Sequence, residues 1–73
     1  MLKVRTLLAQ LPEEDHTALL NHVGAGLHDA RLAAQCVIEP GPHAEDVAQL
    51  LAYLSRAIRQ LEDARDVVVR HAA

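Results

Sequence analysis

The groups in this 73-residue chain that could bind metal or move protons are five histidines, one cysteine and ten carboxylates. His16, His22 and His28 stand six apart, which turns each by about 120° from the last around a helix. No two of them share a face, whereas metal pairs on helices use positions i and i+4. His43 and His71 read as loop and hairpin-end residues. Cys36 is alone, so neither an internal disulfide nor a cysteine-based zinc site is expected. Gly24-Ala25-Gly26 is not preceded by a strand and lacks the later glycine of a phosphate loop. Arg59 with Asp63, and Asp66 with Arg70, are spaced as simple i,i+4 surface pairs. The residue types yield no catalytic constellation, no cofactor site and no metal site, so the chain is read as a non-enzyme.

The elements that would position these groups are helices. From His43 onward, Leu50, Leu54, Ala57, Leu61, Ala64 and Val68 step by 4, 3, 4, 3 and 4, the spacing of a heptad seam. Val47, Leu51, Ile58 and Val69 widen it to roughly 140° of arc, more than a two-helix seam needs. A second seam runs through Leu20, Val23, Leu27, Ala30, Ala34 and Val37. Gly26, Ala30 and Ala34 recur every four residues and leave one flank flat, so that a neighbouring backbone could come close. Pro12 followed by Glu13, Glu14 and Asp15 marks a helix start, with acids at the positive end of the dipole. Before it, Val4, Leu7, Leu8 and Leu11 share one side of a helix too short to stand undocked.

Glu39-Pro40-Gly41-Pro42 stops the first long helix, and so short a connection joins antiparallel neighbours. The expected fold is therefore all-α: an antiparallel two-helix hairpin with a short N-terminal helical segment, completed by association with other helices. Its parts are residues 1–11, a first long helix at 12–38, a loop at 39–43 and a second long helix at 44–71. The Ala-rich seam of the first is expected to face the Leu-rich seam of the second.

Composition narrows the partners. The chain is 51% hydrophobic with one Tyr, no Phe and no Trp, and carries a formal charge of −3. That balance gives no attraction to nucleic acid or to an anionic membrane surface, and no apolar run reaches the length of a membrane span. A single cysteine and no secretory h-region suggest a cytoplasmic protein that starts at Met1. Opposite the first seam, Ala18, Ala25, Leu32 and Cys36 line up within roughly 40°, a strip that a lone hairpin is expected to leave in water. Together with Val47, Leu51 and Ile58 it is the expected partner-binding surface. Arg65 lies within the apolar arc, where its guanidinium needs a carboxylate. Asp15 or Glu14 is the intramolecular choice, and another subunit is the alternative.

Two resemblances bear on function. The tail Arg65-Asp66-Val67-Val68-Val69-Arg70-His71 is similar to the Arg-then-His pattern of HEPN-type ribonucleases, but its three valines are better explained as a buried helix end. The layout as a whole, and Ala57 to Val69 in particular, resembles the small helical-hairpin co-chaperones of bacterial type III secretion needle subunits. That resemblance implies a helical-repeat chaperone and a needle subunit as partners, with the polymerising helix of the needle subunit masked until export. The competing expectation is a homodimer, in which two hairpins form a four-helix bundle that acts as an adaptor or regulator. An RNA-binding bundle similar to the Rop type would need a concentrated basic face, whereas Arg56, Arg59 and Arg70 alternate with Glu45, Asp63 and Asp66.

Overall fold

A computed structural model of the chain describes residues 2–39 and 45–72, and the residues of the Pro/Gly loop after Glu39 lie outside that description. Three α-helices follow one another: α1 (Val4–Gln10), α2 (Glu13–Ile38) and α3 (Glu45–Ala72). α2 and α3 pack along each other in antiparallel fashion, Asp15 meeting His71 at one end and Asp29 meeting Arg56 further along. The fold is the all-α hairpin that the periodicity predicts. No helix among the described residues is long and apolar enough to cross a membrane.

Each boundary has a local cause. Leu11, extended at φ −70° and ψ 135°, ends α1, and Pro12 follows at ψ 150° and begins α2. Proline suits that place because the first-turn amides have no intrahelical acceptor anyway. Glu13, Glu14 and Asp15 fill the first turn of α2 and face its positive end, while Arg70 and His71 fill the last turn of α3 at its negative end. α1 has only seven residues, and it is held by burying Leu7 and Leu11 against Val67, with Leu19 and Val68 packed around them.

The hairpin keeps Leu50, Ala57 and Ala64 of the predicted α3 seam inside, but on α2 it closes on a different row from the predicted one. On α2 the inner row is Asp15, Leu19, His22, Gly26, Asp29, Ala33 and Cys36, buried or half-buried throughout. On α3 it is Leu50, Tyr53, Ala57, Gln60, Ala64, Val67 and His71. Both rows step by threes and fours, so each is a heptad row in its own right. The predicted α2 seam lies one residue further along, and Leu20, Val23, Leu27, Ala34 and Val37 are exposed. One residue is about 100° of helix rotation, enough to swing that seam out of the contact. The strip of Ala18, Ala25, Leu32 and Cys36 is half-buried against the α3 side, contrary to the expectation that a lone hairpin leaves it in water. The physical reason is the size of the inner side chains. Gly26, Ala33, Ala57 and Ala64 let the two helices approach closely, and the larger residues of the seam are displaced to the rim.

The molecule is a rod, 48 × 20 × 16 Å in extent, with a radius of gyration of 15.5 Å. A compact domain of this length would have about 11 Å. Its accessible surface of 5743 Å² likewise exceeds the roughly 4,450 Å² expected for a folded monomer of its mass. No described side chain is fully buried. Two layers of helix made from alanines do not enclose a core.

The two helical glycines differ in a way that stability measurements can read. A Cβ at Gly26 would sit 2.8 Å from Leu61 Cδ2 and 2.9 Å from its Cγ, whereas one at Gly24 would meet nothing within 4 Å. Gly24→Ala should therefore stabilise the chain by about 0.4–1 kcal/mol, the helix-propensity gain. Gly26→Ala should give less or a net loss, because Leu61 must move. Equal gains in urea unfolding would contradict the close approach.

Candidate protein-binding face

The inner rows fix where everything else points. On α2, Leu20, Val23, Leu27, Ala30, Ala34 and Val37 each follow an inner-row residue by one position. On α3, Leu51, Leu54, Ile58, Leu61, Arg65 and Val68 do the same. Because the helices are antiparallel, equal rotations on the two turn both rows toward the same side of the hairpin. The contact of Leu61 with Gly26 marks the floor where the two rows meet. The result is one continuous apolar face, with Leu20, Val23, Leu27, Leu51, Leu54, Ile58 and Leu61 each 41–66% exposed. Val47 and Val37 extend it toward the loop end.

α1 folds back onto one end of this face. Its Leu8 lines an apolar groove with His16, Leu19, Leu20 and Val23, while Leu7 and Leu11 cover Val67 and Val68. A short amphipathic helix thus already occupies the part of the face near the α2 start. The rest, toward the loop, is left uncovered by the described residues.

Polar side chains of the two inner rows pair with one another across the hairpin. His71 Nε2 donates to Asp15 Oδ2 at 2.6 Å, His22 Nδ1 donates to Gln60 Oε1 at 2.8 Å, and Arg56 Nε lies 3.8 Å from Asp29 Oδ1. Arg56 also sits over the Tyr53 ring at 5.2 Å, and Gln49 Nε2 donates to Tyr53 Oη at 2.9 Å. These partners are spaced along the seam, and they set the register that alanines alone would leave loosely specified. The Arg56–Asp29 pair is long and partly exposed, so its contribution is small.

The residues singled out from sequence divide accordingly. Val47, Leu51 and Ile58 are exposed on the apolar face. Arg65 is exposed within the same row and forms no ion pair with Asp15, whose carboxylate is taken by His71, nor with Glu14. Ala18 sits beside His22, Asp63 and Arg70, and Leu32 and Cys36 beside Gln49 and Tyr53, in shallow grooves away from the apolar face. The structure does not bring that strip together with Val47, Leu51 and Ile58. Leu20, Val23, Leu27, Leu54 and Leu61 belong to the face, although their heptad spacing predicts them in the hairpin seam. The signal that separates the two rows is the placing of Gly26 and Ala33 on α2 and of Ala57 and Ala64 on α3, the small buried residues at the helix contact. Of the i,i+4 pairs expected from spacing, neither Arg59–Asp63 nor Asp66–Arg70 closes to within 4.0 Å. Among the described residues no group of three or more His, Cys, Asp or Glu side chains is arranged to hold a metal ion.

The size of the exposed face sets its energetic weight. Seven side chains about half exposed present on the order of 600 Å², at the upper end of what a monomer leaves in one patch. Covering them is worth about 15 kcal/mol gross at 25 cal/mol/Å², before the 4–15 kcal/mol that association costs. The inner row responds in the opposite sense to added bulk. Ala57 is buried at the α2 contact, so Ala57→Leu should destabilise the hairpin by about 1–3 kcal/mol through overpacking. Ile58→Ala, one position on, should cost under about 1 kcal/mol in an isolated hairpin. Urea unfolding of the two variants checks the order, and a reversed order would contradict the assignment of rows.

No protein-family model matches the chain, and no curated protein and no solved structure is significantly similar to it.

Proposed function

We propose that this chain is a non-catalytic protein-binding hairpin whose working part is the apolar face built by α2 and α3. The observation that carries the reading is the continuity of that face: two heptad rows of large aliphatic side chains, on one side of the rod, uncovered beyond α1. Large apolar patches rimmed by polar residues mark association surfaces, and two parallel ridges of this kind accept a further helix or helical pair. The mechanism is steric and hydrophobic. A partner helix laid on the face is withdrawn from water and from its other partners.

The specific form we propose is that of a bacterial cytoplasmic co-chaperone, which with a helical-repeat chaperone holds a type III secretion needle subunit in an unpolymerised state. The resemblance of Ala57 to Val69 and of the hairpin layout supports it, and the open face supplies the surface that the role requires. Arg65, exposed inside that face, gives a partner carboxylate a defined place to land.

The test is co-expression of the chain with a needle subunit and a helical-repeat chaperone from one secretion system. A soluble complex should co-purify with the unmodified chain and with Arg59→Glu, which alters the polar side, but not with Leu27→Asp or Ile58→Asp. Absence of any complex would rule out the co-chaperone role. A complex indifferent to Leu27→Asp and Ile58→Asp would rule out the face.

A further inference from the structure

We infer that in the absence of another partner the apolar face is covered by a second copy of this chain, in an antiparallel two-fold dimer that makes an all-antiparallel four-helix bundle. This deepens the reading of the face as a protein-binding surface and rests on it.

Three observations point to a second copy and to its orientation. The first is area. The open part of the face presents on the order of 600 Å² per chain, close to the ~800 Å² that each side contributes to a standard stable interface, and Val37 and Val47 lie on the same side to extend it. The second is shape. The face is two heptad ridges, so an identical pair of ridges matches it over the section that α1 leaves open, and a two-fold contact of this kind closes on itself.

The third is the position of α1, which selects between the two ways of pairing such faces. A two-fold axis parallel to the helices would bring both copies of α1 to the same end, between the faces, and hold the bundle apart. An axis perpendicular to the helices, in the plane of the interface, sends the two α1 segments to opposite ends. It lays α2 on α2 of the partner and α3 on α3, each pair antiparallel. The open sections then coincide, centred at the level where Asp29 meets Arg56, with Leu20 of one chain near Val37 of the other. Arg65, beside the α1 end, lies toward the loop end of the other copy, where Glu39 closes α2. The charge on the face therefore finds opposite charge, and the two copies of Arg65 lie far apart.

The experiment has two parts. Light scattering of the whole chain across a concentration series should give a dimer that dissociates on dilution. Leu27→Asp and Ile58→Asp, checked for retained helical circular dichroism, should each be monomeric at the highest concentration, and Arg65→Glu should raise the dissociation constant several-fold. In a Cys36→Ser background, mixing Leu20→Cys chains with Val37→Cys chains under mild oxidation should give the mixed disulfide well above its statistical share. This readout does not depend on the charge variants folding. A monomer at all concentrations, or a dimer indifferent to Leu27→Asp and Ile58→Asp, would overturn the proposal. A dimer giving only statistical disulfides would overturn the antiparallel arrangement. A monomer that still forms the heteromeric complex through Ile58 would leave the protein-binding reading standing while removing the second copy.

Discussion

The contact of Gly26 with Leu61, continued by Ala33, Ala57 and Ala64, is the constraint on which the rest of this molecule depends. Residues without bulk let two helical backbones come closer than leucines would allow, and close approach decides which face of each helix is inside. Once the small row is inside, the leucines and isoleucine one position further along each helix have nowhere to go but the rim. The apolar face is thus a consequence of how the hairpin closes, and the same alanines that stabilise the pair leave its large side chains for something else to cover.

A small-residue seam is permissive about register, and here polar groups fix it. His71 with Asp15, His22 with Gln60 and Asp29 with Arg56 lie at successive levels of the hairpin, and each would lose its partner if α3 slid by a turn. The cost of orienting these side chains is moderate because all of them keep some contact with water. α1 adds a cluster of well-buried aliphatic side chains, Leu7 and Leu11 on Val67. It closes the end where Asp15 and His71 meet and shortens the open face to the part nearer the loop.

Much of the architecture was legible in the sequence. The proline and acids at residues 12–15, the heptad spacing in both long segments and the Pro/Gly run after Glu39 are local signals, and they define helices and their antiparallel order. The phase was not legible by the rule applied. Two heptad rows lie one residue apart on each helix, and choosing the more hydrophobic row as the seam took Leu20, Val23 and Leu27 inward and put Ala18, Ala25, Leu32 and Cys36 in water. The structure reverses that choice. Hydrophobicity ranks residues by what they gain from burial, whereas the helix pair is selected by how closely it can pack, and Gly26 seven residues before Ala33 was the mark of it. Val47, Leu51, Ile58 and Val69, which make the α3 arc wider than one neighbour can cover, do lie exposed, and Arg65 lies exposed too, without the Asp15 or Glu14 pair expected within the chain.

The claim that small residues close the hairpin while large ones face out can be measured directly in dilute solution. Methyl resonances of Ala57, Ala64, Leu27 and Ile58 would be recorded with a soluble paramagnetic probe. The account predicts strong relaxation of the Leu27 and Ile58 methyls and protection of those of Ala57 and Ala64. Protected Leu27 and Ile58 with exposed Ala57 and Ala64, unchanged on further dilution, would mean that the hairpin closes on its leucines and that the open apolar face does not exist.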